Sequence, residues 1–304
     1  MNTNKPLTLV QGQLSRSARI KNDVLRFLQY LWLVFVCLTV LIPILWMISA
    51  SFTSGKLLSG VPLIPDIKKF SLEHYEYLFT YKSSSAAKYP DFIAAFLRSL
   101  SVAILNTLSV VFFTTITGYV FSRFKFKGKK PLLISFLLLQ MFPSFMGMIA
   151  LFMIFRTFGW LNKPLYLVFI YTAGSIPYNT YLIRGYMRSL PLSIDEAALI
   201  DGASKTQVFF KIILPLSTPI IGFVAVNAFM APWMDYMLPN QLLNMQNQTV
   251  AIFLYRLTDS FSTLYYNPLN FMAGALVLAT PITIVQFYMQ RFIVYGMASG
   301  AEKG

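Results

Sequence analysis

Six stretches of this chain read as apolar runs that can cross a bilayer, and almost no charge falls inside them. They cover residues 25–52, 94–121, 131–155, 165–182, 213–237 and 271–292. A helix rising 1.5 Å per residue needs about 20 apolar residues to span a hydrocarbon core of about 30 Å. With no water to satisfy the backbone there, helices are the solution that runs of this length allow. Only Arg26, Arg98, Asp235 and Arg291 intrude, each near the boundary of a run. Composition agrees, because 56% of the residues are apolar and 12% charged. The expected class is an all-α integral membrane protein with six transmembrane helices.

Charge sets the expected orientation. Of the 25 Lys and Arg, sixteen fall on one side of a six-span arrangement and nine on the other. The richer side holds residues 1–24 with Arg26 at the start of the first span, the block Arg123, Lys125, Lys127, Lys129 and Lys130, the segment from Arg184 and Arg188 to Lys211, and Arg291 with the C-terminal tail 293–304. The positive-inside rule makes that side cytoplasmic and puts both termini there. It also explains the net charge of +14 more simply than nucleic acid does. Residues 1–24 read as a cytoplasmic leader and 25–52 as a retained first transmembrane helix, since its core exceeds a signal peptide's and lies late. Residues 53–93 form the longest polar stretch, an external loop punctuated by Gly55, Gly60, Pro62 and Pro65. Its His74, without a neighbouring His or Cys, reads as a solvated surface residue rather than a metal ligand. Residues 94–292 form the core, with five spans and a second external loop of about thirty residues between the last two. No internal repeat is evident. The single cysteine, Cys37, lies inside an apolar run, so neither a disulfide framework nor a zinc site can be built.

The spans lack the acids that proton- or sodium-coupled carriers use. Nor is there a phosphate-binding glycine loop: Gly55-Lys56 lacks the preceding glycine, and Gly128-Lys129 is followed by Lys130. Energy for any transport must then come from another polypeptide, and no cofactor is expected in this chain. Asp195, Glu196 and Asp201 cluster, but negative charge near a helix N-terminus accounts for the first two without acid-base chemistry.

One polar, amphipathic segment interrupts the greasy sequence: SIDEAALIDGASKTQVFFKIILPLSTP, residues 193–219. Ser193 with Glu196 has the form of a capping box, and Ser204 with Gln207 repeats it. Gly202 between them permits the left-handed backbone that ends helices, and Pro215 is expected to break the second helix. Two short helices joined at a glycine make an elbow, residues 193–215. Val208, Phe209 and Phe210 are costly to leave in water, so a partner's groove is their expected destination.

Here the chain resembles the permease subunits of binding-protein-dependent ABC importers. Their signature is matched at every spacing by Glu196, Ala197, Ala198, Gly202, Ile212, Leu214 and Pro215. Residues 118–128, GYVFSRFKFKG, are similar to the family's turn after its second span, and PWMDYMLP at 232–239 to a pattern at the outer end of its fifth. The end, QRFIVYGMASGAEKG, resembles the tail of carbohydrate permeases of the second maltose-subunit type.

The resemblance implies a type I importer permease fold whose elbow sits in a cleft of a separate ATPase, which binds ATP and Mg. Val208 and Phe209 would join the coupling set. A second permease would complete the pore, and an external binding protein would deliver a carbohydrate, a maltodextrin-like oligosaccharide being the leading class. Gln290, Arg291, Gly300 and Gly304 would contact the ATPase through a flexible tail. Tyr178, Asn179, Asn227, Trp233 and Tyr236 offer the aromatic faces and amides that line sugar paths. The alternatives are a non-sugar cargo for the same machinery and an independent secondary carrier.

Overall fold

The computed structural model describes residues 16–141, 144–261 and 266–301, and among these the chain is helical without a strand. Helix α1 is Arg16–Ser51, so the last part of the expected leader is already helical. Then come α2 Glu73–Thr80, α3 Asp91–Arg123, α4 Lys129–Met141, α5 Met148–Thr157, α6 Leu167–Ser189 and α7 Leu192–Ile200. Next is α8 Lys205–Val208, which runs through a π-turn Phe209–Ile213 into α9 Leu214–Leu216. The last four are α10 Thr218–Met234, α11 Met237–Leu242, α12 Val250–Thr258 and α13 Pro268–Ala301.

Helix α3 is the axis of the bundle. Its buried face repeats at helical spacing through Ala95, Ser99, Val102, Ala103, Asn106, Val110, Thr114, Gly118 and Phe121. Lipid tails give helices no hydrophobic drive to associate, so small residues that allow close approach do the packing. At Gly118 a Cβ would lie 2.7 Å from Ile183 Cγ2, which is how closely α6 crosses α3. Helix α10 packs on both. Pro232 has no N–H, which leaves the Ala228 carbonyl without its helical donor. Asn106 Nδ2 donates to that carbonyl at 2.7 Å, and Thr172 Oγ1 donates to Asn106 Oδ1 at 3.2 Å. One buried amide thus joins α3, α6 and α10.

Among the described residues three helical stretches are long and apolar enough to cross a membrane: Asp23–Ser51, Asp91–Arg123 and Pro268–Gln290. Two bent pairs raise this to five, Lys129–Met141 with Phe145–Thr157 and Lys205–Leu216 with Thr218–Met234. Helix α6 spans about 34 Å at 1.5 Å per residue. Its Ser, Thr, Asn and Gly content leaves it less apolar than the other spans. The fifth stretch starts later than expected because the chain turns by 73° before Thr218. Pro219 cannot donate to the Pro215 carbonyl, and Thr218 Oγ1 does so instead at 2.7 Å.

His74 corrects the sequence-based expectation. It is 1% exposed, not solvated. Its ring nitrogens lie 2.7 Å from Asn270 Oδ1 and 2.9 Å from the Thr53 carbonyl. Helix α2 buries His74 and Leu78 one turn apart, and through His74 it ties the end of α1 to α13. Upstream of that clasp, the apolar side chains from Val24 to Leu45 on α1 are exposed.

Candidate functional site: the elbow

The elbow lies at the end of the bundle where α3 and α6 finish and α10 begins. Its first arm, α7, starts at Leu192 after Pro191, one residue before the expected cap. Proline's fixed φ suits a helix N-terminus, so Ser193 falls inside the first turn and its capping box with Glu196 does not form. The far end behaves as the sequence reads. Gly202 adopts φ +85°, Ala203 N donates to the Ala198 carbonyl at 2.9 Å, and Gly202 N to Leu199 at 3.1 Å. That is a Schellman stop. The second capping box does form: Gln207 N donates to Ser204 Oγ, and Ser204 N donates to Gln207 Oε1 at 2.7 Å. Pro215 does not end the second arm. The π-turn carries the helix through it to Leu216, and the break falls at Ser217.

The elbow has two faces. The inner one is fixed to the bundle: Ala198, Val208 and Ile213 pack in one buried cluster with Val110, Ile183, Met187 and Val224. Phe209 is buried too, its ring 4.5 Å from that of Tyr119. Val208 and Phe209 therefore do not reach for a partner's groove, because their own bundle covers them; Phe210 alone of the three is exposed. The outer face has a set that hydropathy did not single out. Leu192, Glu196, Leu199 and Ile200 share one side of α7, and Ile200 is 86% exposed. The helical spacing of 192, 196, 199 and 200 was the available signal. Ala197 and Pro215 are also exposed, while Ile212 and Leu214 are half-buried.

Beside α7, between it and the end of α3, a partly open cavity of about 160 Å³ is lined by Tyr119, Arg123, Phe124, Asp195, Lys205 and Val208, with the outer-face residues Leu192, Glu196 and Leu199 also bordering it. Within it Arg123 ion-pairs with Asp195, with the two side chains 7% and 13% exposed. Arg123 Nη2 also donates to the Leu190 carbonyl at 3.3 Å. Burial pushes the Asp195 carboxyl above its ordinary value; Arg123 pulls it down and the neighbouring Glu196 adds to the rise. Nothing in the sequence links residues 72 positions apart, so this pair was not legible there.

The five residues assigned to a substrate path have different settings. Tyr178 and Asn227 are exposed, the latter donating to the Phe223 carbonyl at 2.9 Å. Asn179 is buried and donates to the Ser175 carbonyl at 2.9 Å. Trp233 is buried between Phe96 and Phe229, with centroids at 5.3 and 5.8 Å. The half-buried Tyr236 packs against Tyr255, with ring centroids 4.1 Å apart. Packing accounts for Asn179 and Trp233; Tyr178, Asn227 and Tyr236 keep open surface. In the tail, α13 runs as one helix to Ala301, where a flexible thread was expected. Gln290 is exposed, the backbones of Arg291 and Gly300 are helical, and Gly304 lies outside the described residues.

Comparison with known proteins matches this chain to sugar transport systems. It is 36% identical over 287 residues to the galactooligosaccharides transport system permease protein GanQ of Bacillus subtilis, covering 94% of this chain and 98% of the relative. It is 32% identical over 292 residues to the maltodextrin transport system permease protein MalD of Streptococcus pneumoniae, covering 96% and 100%. Its fold is similar to that of a chain in the crystal structure of a bacterial ABC transporter involved in the import of alginate. The TM-score there is 0.71 at 20% identity, covering 95% of this chain and all of the other. Residues 111–298, which include the whole elbow, match the family described as binding-protein-dependent transport system inner membrane component, and the chain belongs to that family.

Proposed function

We propose that this chain is one of two pore-forming subunits of an ATP-driven importer of oligosaccharides, moved by a separate ATPase through the elbow. The chain crosses the membrane six times with both ends cytoplasmic, and the Lys and Arg of the elbow end support that orientation. A second permease completes the pore, and an external binding protein docks on the loops 53–93 and 238–270. ATP and Mg belong to the partner. The related transport systems, named for galactooligosaccharides and maltodextrins, support a neutral oligosaccharide as cargo. Tyr178 and Asn227, which are exposed, and the half-buried Tyr236 are the path residues left with surface to meet it.

The observation that carries this reading is the division of the elbow into a buried inner face and an open outer one. A segment fixed to α3, α6 and α10 transmits displacement to them, and the exposed Leu192, Leu199, Ile200 and Glu196 offer an apolar patch with one charge to a foreign groove. Closure of an ATPase dimer would move the elbow as a rigid lever and tilt the spans. The test is purification of the tagged chain from its native membrane. An ATPase and a second permease should come with it, and the reconstituted complex should take up labelled galacto- or malto-oligosaccharide. Glu196→Lys should abolish uptake while the protein remains inserted. Uptake and coupled hydrolysis at wild-type rates in that variant would refute the role of the elbow, and selective uptake of a non-sugar solute would refute the cargo.

A further inference from the structure

We infer that the buried Arg123–Asp195 pair is a transmission latch that makes the elbow and α3 move as one body, with Arg123 as a positioning residue for coupling. This rests on the permease reading and goes beyond it, because neither residue lies on the outer face that meets the ATPase. Both arms of the elbow are held by the last two turns of α3. Tyr119 packs against Phe209 of the second arm with ring centroids 4.5 Å apart, and Arg123, one turn later, ion-pairs with Asp195 of the first. Arg123 also donates to the Leu190 carbonyl just before α7 begins.

The two grips differ in kind. Apolar packing is non-directional and lets one surface slide on another. A buried charge pair is intolerant of displacement, because separation leaves each charge desolvated and unpaired. Neither Asp195 oxygen has a hydrogen bond to any other described residue, so the carboxylate depends on Arg123. The adjacent cavity of about 160 Å³ leaves α7 little packing on that side, which makes the latch the stiff element between α7 and α3. From α3 the motion passes to α6 through the Gly118 contact with Ile183 and to α10 through Asn106.

The test uses the complete complex in lipid vesicles, with its ATPase, second permease and binding protein. Variants Asp195→Asn, Arg123→Gln and the reversed pair Arg123→Asp with Asp195→Arg are compared for two readouts: ATPase retained on purification, and sugar imported per ATP hydrolysed. Both single variants should retain the ATPase, since the outer face is unchanged, while import per ATP falls about threefold to thirtyfold. The reversed pair should recover most of that loss because it restores the ion pair, and the fall in import per ATP with the ATPase still bound is what a merely structural role would not produce. Single variants that import at the wild-type ratio overturn the latch, as does a reversed pair no better than the singles, including where the singles fail to assemble. A wild-type complex that neither binds an ATPase nor imports refutes the permease reading itself and the latch with it.

Discussion

At Gly202 the backbone sits at φ +85°, a conformation that side chains with a Cβ reach only at a cost of about 1 kcal/mol. A Cβ there would meet nothing within 4 Å, so strain is the whole penalty of a small substitution. Gly202→Ala should therefore leave a partly working elbow, with import reduced and the ATPase still bound. Gly202→Asp adds a charge beside the docking face and should abolish import. Equal, complete loss in both variants would mean that Gly202 is needed for space rather than for its backbone. Gly118 is the opposite case. Its φ is ordinary, but Gly118→Val drives a side chain into Ile183 and should cost about 1–3 kcal/mol, read as a lower melting temperature in detergent. These two glycines show what local sequence discloses. Gly202 was legible because a helix stop is decided by its immediate neighbours, as was the Ser204–Gln207 box. Gly118 was not, since its reason lies 65 positions away on α6. His74 was misjudged for the same cause: its partners, Thr53 and Asn270, are 21 and 196 positions distant.

Helices in this chain are shaped by prolines whose missing N–H groups are answered from elsewhere. Asn106 supplies the donor that Pro232 withholds from Ala228, and Thr218 supplies the one that Pro219 withholds from Pro215. The first is a contact between elements and has a measurable value. Asn106→Ala should destabilise the bundle by about 0.6 to 1.7 kcal/mol, the range found for single interhelical hydrogen bonds in membranes. Chemical denaturation in mixed micelles checks it. No loss would mean that water or lipid headgroups reach the Ala228 carbonyl. The second proline lies at the 73° turn between the elbow and α10. Sequence put a helix stop at Gly202, where one is found, but misplaced the later break, taking Pro215 as the stop. A π-turn can absorb one proline, and two residues on, Ser217, Thr218 and Pro219 together cannot continue the helix.

Across the whole molecule, burial is uneven. The three helices joined at Asn106 are packed, whereas Val24 to Leu45 on α1 and Leu108, Phe112 and Phe113 on α3 present apolar surface outward. Lipid accommodates such surface, and a second permease covers part of it in the proposed assembly. Co-expression with that subunit should raise the melting temperature of the chain in detergent. An unchanged melting temperature would argue that lipid alone meets these faces. Overall class was readable from hydropathy because the bilayer imposes a single rule on every span. The faces that meet partners were not, because an apolar residue pointing to lipid and one pointing to a subunit look alike in sequence.

The docking of the outer face is tested most directly at Ile200, 86% exposed at the tip of α7. The chain has one cysteine, Cys37, so Cys37→Ser gives a clean background. Ile200→Cys in that background can then be labelled with a membrane-impermeant maleimide in inside-out vesicles. Ile67→Cys, on the first loop, serves as the control for sidedness. Labelling at position 200 should be strong when the ATPase has been stripped, blocked when it is bound, and absent from right-side-out vesicles. Equal labelling with and without the ATPase, or labelling only from the outer side, would contradict the elbow's role as the handle of the transporter.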